Sequence, residues 1–175
     1  TLLGEDVAAI GMGVPSQIDQ RTGRAVSSVH VPLSDVDLRG RMRDRFGLPV
    51  GIDNDGNGAA IAEWQLGAGR GASNVVVLTL GTGIGGGLIL DGRPFRGSVG
   101  GGAELGHMVL DYGGPRCKGD CSGHGHFEAF AAGSAANALA RARFGEHADA
   151  RRLVDAAAGG DQGAITDLAE LGHRL

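Results

Sequence analysis

The stretch that decides the fold is LTLGTGIGGG, residues 78–87, which follows three valines at 75–77. The apolar, β-branched run over 75–80 predicts a central strand. The glycines of 81–87 predict a loop after that strand, whose bare backbone N–H groups could cradle phosphate oxygens with the help of the Thr82 hydroxyl. The stretch is neither a P-loop nor a dinucleotide-binding fingerprint, because the lysine and the spacing are missing.

Strand and helix patterns alternate on both sides of this stretch, which predicts an α/β fold with ligands at the carboxyl ends of its strands. A glycine-rich segment, 67–71, predicts a hinge between a small domain over 1–67 and part of a larger one over 68–175. The predicted strands are 7–12, 50–53 and 88–90, with a hairpin turn at Asp91-Gly92. The predicted helices are 35–46 with Asp35 as cap, 58–66, 127–144, 148–158 and 162 to the end.

Asp53, Asn54 and Asp55 follow the predicted strand at 50–53. Asn and Asp at such a place commonly cap the next helix. A carboxylate held at a strand end can instead accept a proton from a substrate hydroxyl, while a neighbouring amide binds other hydroxyls. The motif alone leaves both interpretations open.

Composition excludes several classes of protein. The 34 glycines are clustered rather than periodic, which excludes collagen. The net charge of -4 comes without a basic stripe, so nucleic-acid binding by this segment is not expected. No apolar run approaches the roughly 20 residues of a membrane span, and the residues from Thr1 onward do not show a secretory signal pattern.

The two cysteines, Cys117 and Cys121, lie in a glycine-rich region with few apolar residues. Together with His107 and His126 they form a two-thiolate, two-imidazole set suited to structural zinc. His124 is a rival to His126 that spacing cannot separate. The alternatives to a metal are idle thiols or one small disulfide.

Three segments together resemble the ROK family of sugar kinases and sugar-responsive repressors, with a pattern most similar to bacterial glucokinases. They are GIDNDGNGAA at 51–60, the glycine stretch at 78–87, and ELGHM at 104–108, followed by the cysteine loop. The resemblance runs from about Ala8 to the last helices.

This resemblance implies an actin-like ATPase (ribonuclease H-like) α/β fold with two domains flanking a cleft for a hexose and ATP. It implies ATP-dependent phosphorylation of a hexose, with glucose preferred, at the 6-hydroxyl. Mg²⁺, structural Zn²⁺, a homodimer or homotetramer and a cytoplasmic location are implied with it. The implied base is Asp55; the sugar would be held by Gly13, Asn54, Glu104, His107 and Glu128, ATP by Gly81, Thr82, Gly83 and Gly133, and zinc by His107, Cys117, Cys121 and His126.

The chain departs from the family pattern in three places. The cysteine pair is two residues wider than usual, and His126 stands where a third cysteine is expected. The Asp-x-Gly-Gly-Thr phosphate loop and the C-terminal part of the adenine site are absent, so we expect a fold incomplete at both termini. A sugar-sensing transcriptional repressor and a zinc-stabilised sugar-binding module are alternative functions. Another hexose or an N-acetylated amino sugar as substrate, and polyphosphate as donor, are alternatives within the kinases.

Overall fold

A computed structural model describes residues 7–28, 31–117 and 121–175. These residues form two compact units: unit 1 holds the chain up to Val77 with Gly86–Glu104, and unit 2 holds Leu78–Gly85 with Leu105–Leu175. The domain limits of 1–67 and 68–175 stay a prediction. The elements in chain order are β1 (Ile10–Val14), β2 (Gln17–Asp19), β3 (Arg24–Ser27), α1 (Leu38–Phe46), β4 (Val50–Asn54), α2 (Asp55–Gln65), β5 (Val75–Leu80), β6 (Ile84–Leu90), β7 (Arg93–Phe95), a 3₁₀ turn (Leu105–His107), α3 (Phe127–Ala131), α4 (Gly133–Phe144), α5 (Ala150–Ala158) and α6 (Gln162–His173).

Unit 1 is organised around two parallel strands, β1 and β4, which pair in register from Ile10 opposite Val50 to Val14 opposite Asn54. Side chains alternate across such a pair, so one face is apolar and buries Val14 and Ile52 in the unit's core. The β2–β3 hairpin adds Ile18 and Ala25 to the same core. The carboxyl end of β4 leads directly into α2, which places Asp53, Asn54 and Asp55 at a strand-to-helix junction.

Helix α1 begins later than the sequence pattern predicts. Its cap is Asp37, whose side chain accepts a hydrogen bond from Gly40 N at 3.0 Å. The prediction that Asp35 caps this helix is wrong. Asp35 has a positive φ of 54°, and its carboxylate forms an ion pair with Arg24 at 2.9 Å. A residue in that left-handed conformation does not lead into a right-handed helix, so the cap falls two residues further on.

The β6–β7 hairpin is confirmed, with Leu90 opposite Arg93. Its two turn residues, Asp91 and Gly92, both have positive φ, of 50° and 69°, as a tight two-residue hairpin turn requires. Strand β6 is longer than predicted, because it begins at Ile84 rather than Leu88. The glycine loop is therefore reduced to Gly81, Thr82 and Gly83.

The predicted helix over 127–144 is two helices, α3 and α4, separated at Ala132, whose backbone is extended. The break lets the first N–H groups of α4 bond outward: Gly133 N donates to Gly81 O at 2.8 Å, and Ser134 N donates to Thr82 O at 3.1 Å. Four N–H groups at a helix start have no partner inside the helix, so they are free for this purpose.

Helices α4, α5 and α6 pack on one another in unit 2 around Ala140, Leu153 and Ala164. A second cluster joins Ile84 of β6 to Phe127, Ala131 and Leu171. Among the residues that the structure describes, no helix has the length and apolar character needed to cross a bilayer.

We expect Leu153→Ala to destabilise unit 2 by about 3 kcal/mol, because Leu153 is fully buried and its loss leaves a cavity. The neighbouring Val154 is 51% exposed, so Val154→Ala, the matched control, should change the free energy of unfolding by less than about 0.5 kcal/mol. Urea denaturation followed by circular dichroism measures both. Equal losses in the two variants would contradict this packing.

Candidate active site and metal cluster

Asp55 is the first residue of α2 and its side chain is exposed. Asn54 caps the helix: its Oδ1 accepts from Gly56 N at 2.9 Å and from Asn57 N at 3.2 Å. The capping interpretation therefore holds for Asn54, while Asp55 stays open to solvent with its carboxylate at a helix N-terminus, where a negative charge is favourable. The Asn54 amide nitrogen makes a long contact, 3.5 Å to Ser16 O.

Glycines fix the position of this helix start. A Cβ at Gly56 would lie 2.4 Å from Gly86 O, and one at Gly87 would lie 2.4 Å from the Ala60 Cβ. The first turn of α2 thus rests directly on the backbone of β6. On the other side, a Cβ at Gly13 would come within 3.3 Å of the Asp55 Cα. Glycine at positions 56 and 87 therefore allows the helix to lie against the strand, which the glycine count alone did not reveal.

Asp53 is fully engaged, unlike Asp55. Its Oδ2 accepts from Arg96 Nε and Nη2 at 2.7 and 2.6 Å. Its Oδ1 accepts from Gln20 Nε2 at 3.0 Å and from Asn57 Nδ2 at 3.1 Å. Sequence reasoning missed Gln20 and Arg96, because no local pattern signals a pairing between residues 43 positions apart.

In unit 2 the glycine loop is closed by its own backbone, with Gly81 N donating to Gly83 O at 3.0 Å. The start of α4 holds the loop carbonyls, and a Cβ at Gly133 would lie 2.7 Å from Gly81 O. The residues implied to bind ATP, Gly81, Thr82, Gly83 and Gly133, therefore form one local structure.

His107, Cys117, Cys121 and His126 are brought together, with one potential ligand atom of each within 4.8 Å of the others. The two Nδ1 atoms are 3.0 Å apart, Cys117 Sγ is 3.8 Å from His107 Nδ1, and Cys121 Sγ is 3.6 Å from His126 Nδ1. Ligands of a tetrahedral zinc with bonds of about 2.0–2.3 Å lie about 3.3–3.8 Å apart. The two sulfur–nitrogen separations fall in that range and the nitrogen–nitrogen separation is shorter, and the donor types suit that ion. Both cysteines are free thiols.

His126 is the cap residue of α3 but makes no side-chain capping bond, so its imidazole is available to the cluster. His124 is exposed and lies outside the four-residue group. Short antiparallel bridges, Val109 with His126 and Arg116 with His124, shape the loop that carries these residues.

Burial, together with the hydrogen bond to Glu128, raises the pKa of the Cys117 thiol to about 12. Cys117 Sγ donates to Glu128 Oε1 at 3.3 Å. Without a metal, this thiol keeps its proton at neutral pH. A metal would therefore have to displace that proton, as is usual for thiolate ligands.

Glu128 joins the cluster to the glycine loop. Its second oxygen, Oε2, accepts from Ile84 N at 3.3 Å and would lie 2.7 Å from a Cβ on Gly83. The sugar ligands implied by the resemblance are thus divided: Gly13 and Asn54 lie beside Asp55 in unit 1, and His107 and Glu128 lie together in unit 2. Glu104 is the exposed last residue of unit 1.

A sequence model of the ROK family matches residues 3–175. The chain belongs to the ROK family. A glucokinase of Thermotoga maritima is 37% identical over 93% of this chain, but the match covers only 55% of that protein. The chain thus spans about half the length of this relative.

Solved structures of the family include both kinases and regulators. A ROK glucokinase of Streptomyces griseus, in complex with glucose and AMPPNP, matches 98% of this chain and 60% of its own at 31% identity and a TM-score of 0.81. A ROK transcriptional regulator, a homologue of the Escherichia coli MLC protein, matches 95% of this chain and 44% of its own at 28% identity and a TM-score of 0.82. The predicted actin-like ATPase fold of the ROK sugar kinases is confirmed.

We expect Gly56→Ala to cost about 1–3 kcal/mol, because the new methyl group would meet the Gly86 carbonyl and force α2 off β6. Gly58→Ala is the matched control in the same helix: nothing lies within 4 Å of its Cβ position, so better helix propensity should stabilise by about 0.5–1 kcal/mol. Thermal unfolding measures both. Equal changes of the same sign would contradict the tight contact at Gly56.

Proposed function

We propose that this chain belongs to a hexose kinase that transfers the γ-phosphoryl group of MgATP to the 6-hydroxyl of glucose. The observation that carries the proposal is Asp55, an exposed carboxylate fixed at the start of α2 by the Asn54 cap and the backbones of Gly13 and Gly86. Family membership and the glucose-bound relative support the choice of substrate.

In this proposal the oxygen of the sugar 6-hydroxyl attacks the γ-phosphorus while Asp55 accepts the proton of that hydroxyl. ADP leaves with the electrons of the broken P–O bond. Phosphoryl transfer depends mainly on positioning and on stabilising charge, so a base held by bare backbone suits the reaction. The Asn54 amide nitrogen and the Gly13 backbone are assigned to the other hydroxyls. Glu104, His107 and Glu128 complete the proposed sugar ligands.

The donor is proposed to be held by Gly81, Thr82, Gly83 and Gly133. The α4 amides already occupy the carbonyls of Gly81 and Thr82, which fixes the shape of the loop before a phosphate arrives. Gly81 N and Gly133 N already donate within this local structure, so the N–H groups of Thr82 and Gly83 are the ones proposed to meet phosphate oxygens. A pre-shaped set of N–H groups stabilises such oxygens without reorganisation during the reaction. Mg²⁺ would supply charge neutralisation on the donor phosphates.

His107, Cys117, Cys121 and His126 are proposed as a structural zinc site. Four N and S ligands close the coordination sphere, which is typical of structural rather than catalytic zinc. Both histidines turn Nδ1 toward the cluster, so His107 keeps Nε2 for a sugar hydroxyl. A homodimer or homotetramer and a cytoplasmic location remain part of the proposal.

A sugar-sensing repressor is the second candidate, favoured by the likeness to the ROK transcriptional regulator. It predicts sugar binding and sequence-specific DNA binding without phosphorylation. A zinc-stabilised binding module predicts sugar binding alone. A kinase assay of the complete gene product over glucose, other hexoses and N-acetylated amino sugars, with ATP and with polyphosphate, separates these functions.

We expect Asp55→Asn in the complete gene product to lower kcat by roughly 100- to 10,000-fold, because the amide cannot accept the hydroxyl proton. The dissociation constant for glucose should change little, since the side chain keeps its shape. Asp44→Asn, at an exposed carboxylate of α1, is the control and should leave kcat unchanged. Undiminished turnover of Asp55→Asn would overturn the proposed base.

We expect about one zinc per chain, lost in His126→Ala and retained in His124→Ala, because only His126 reaches the cluster. Elemental analysis of the purified variants measures the stoichiometry, with Cys117→Ser as a second loss variant. Zinc loss on His124→Ala with retention in His126→Ala would contradict the assigned ligand set.

A further inference from the structure

The Asp53 carboxylate gathers three separate segments of unit 1 onto the end of β4. Arg96 arrives from the residue after β7, Gln20 from the turn between β2 and β3, and Asn57 from the first turn of α2. Asp53 Oδ1 also accepts from Asn54 N at 2.9 Å. One carboxylate therefore takes five N–H donors from four residues.

The pair between Arg96 and Asp53 is well shielded, since the Arg96 side chain is 28% exposed and that of Asp53 is 15% exposed. Two donors of one guanidinium meet the same oxygen, Oδ2, at 2.7 and 2.6 Å. Loss of one partner from a shielded charge pair leaves the other charge poorly solvated. The carboxylate would then have to turn toward water, away from its remaining donors.

Two of the three donors on Oδ1 belong to residues that flank Asp55. Asn54 precedes it and Asn57 follows it by two positions, and the Asn57 side chain is 6% exposed. Asp53 thereby bonds to the backbone before Asp55 and to a buried side chain after it. A turned Asp53 carboxylate would release both Asn54 N and Asn57 Nδ2 and free the segment that carries Asp55.

We propose that Arg96 and Asp53 are positioning residues for Asp55: the pair holds the strand-to-helix junction so that the Asp55 carboxylate meets the acceptor hydroxyl. This inference rests on the proposed function. A misplacement of about 1 Å at a reacting group lowers the rate on the order of 100-fold. Loss of the fixed junction should therefore lower kcat much more than it weakens sugar binding.

The test is a double-mutant cycle in the complete gene product with Arg96→Met and Asp55→Asn. We expect Arg96→Met alone to lower kcat about 10- to 100-fold. In the Asp55→Asn background, it should lower the residual kcat less than about twofold, because effects that act through one group are not additive. Thermal unfolding of all four proteins measures stability separately.

Arg93→Met is the matched control, an exposed arginine of β7 in the same hairpin, and should leave kcat unchanged. Arg96→Lys keeps the charge but not the two-donor guanidinium and should fall between wild type and Arg96→Met. If Arg96→Met does not fold, Arg96→Lys and Asp53→Asn take its place in the same cycle.

Equal fold-losses in kcat in both backgrounds, or full kcat in the folded Arg96 and Asp53 variants, would overturn the positioning role while leaving the proposed kinase intact. Full turnover of Asp55→Asn would overturn the base itself, and the positioning role with it. The two failures are therefore distinguishable from the same four proteins.

Discussion

Direct backbone contact between α2 and β6 is the constraint on which the candidate site depends. Gly56 and Gly87 have no side chains, so the helix can begin against the strand with a carbonyl where a methyl group would otherwise lie. Asp55 is the first residue of that helix, so this contact determines where Asp55 lies. Close packing of this kind transmits small displacements rather than absorbing them. A side chain added at either glycine would therefore also shift Asp55.

Each unit uses one carboxylate to tie together segments that are distant in sequence. In unit 1 Asp53 joins the hairpin residue Arg96, the turn residue Gln20 and the helix residue Asn57. In unit 2 Glu128 joins the Cys117 thiol to the Ile84 amide. The two differ in charge: Asp53 is neutralised by a guanidinium, whereas both donors to Glu128 are neutral. A carboxylate without a cationic partner is better placed to accept further hydrogen bonds, as the proposed sugar ligand must.

Much of the fold could be predicted from the sequence, because apolar periodicity and turn residues are local signals. The Asp91-Gly92 hairpin is found as predicted, and strand β5 has its predicted bounds. The prediction that β5 is a central strand is wrong among the described residues, because β5 lies at the edge of the β5–β6–β7 sheet and every second residue is exposed. The helix break at Ala132 was missed, since its cause is the bonding of the α4 amides to Gly81 and Thr82 about fifty residues earlier in the chain. In the site, the spacing of cysteines and histidines predicted the candidate metal ligands but left both His124 and His126 possible. No sequence pattern indicated that Arg96 belongs to the site. Long-range pairs of this kind exist only after folding.

The donor set at the cluster bears on how Glu128 can act. Two cysteine thiolates and two neutral imidazoles balance the charge of a divalent ion, whereas a third thiolate would leave the site negative beside the Glu128 carboxylate. With a protonated Cys117, one Glu128 oxygen is occupied by the thiol. Cys117 as a metal-bound thiolate can no longer donate, so Glu128 Oε1 becomes free to accept a hydroxyl while Oε2 keeps its bond to Ile84. Occupation of the cluster by a metal would thus free one oxygen of Glu128, a proposed sugar ligand.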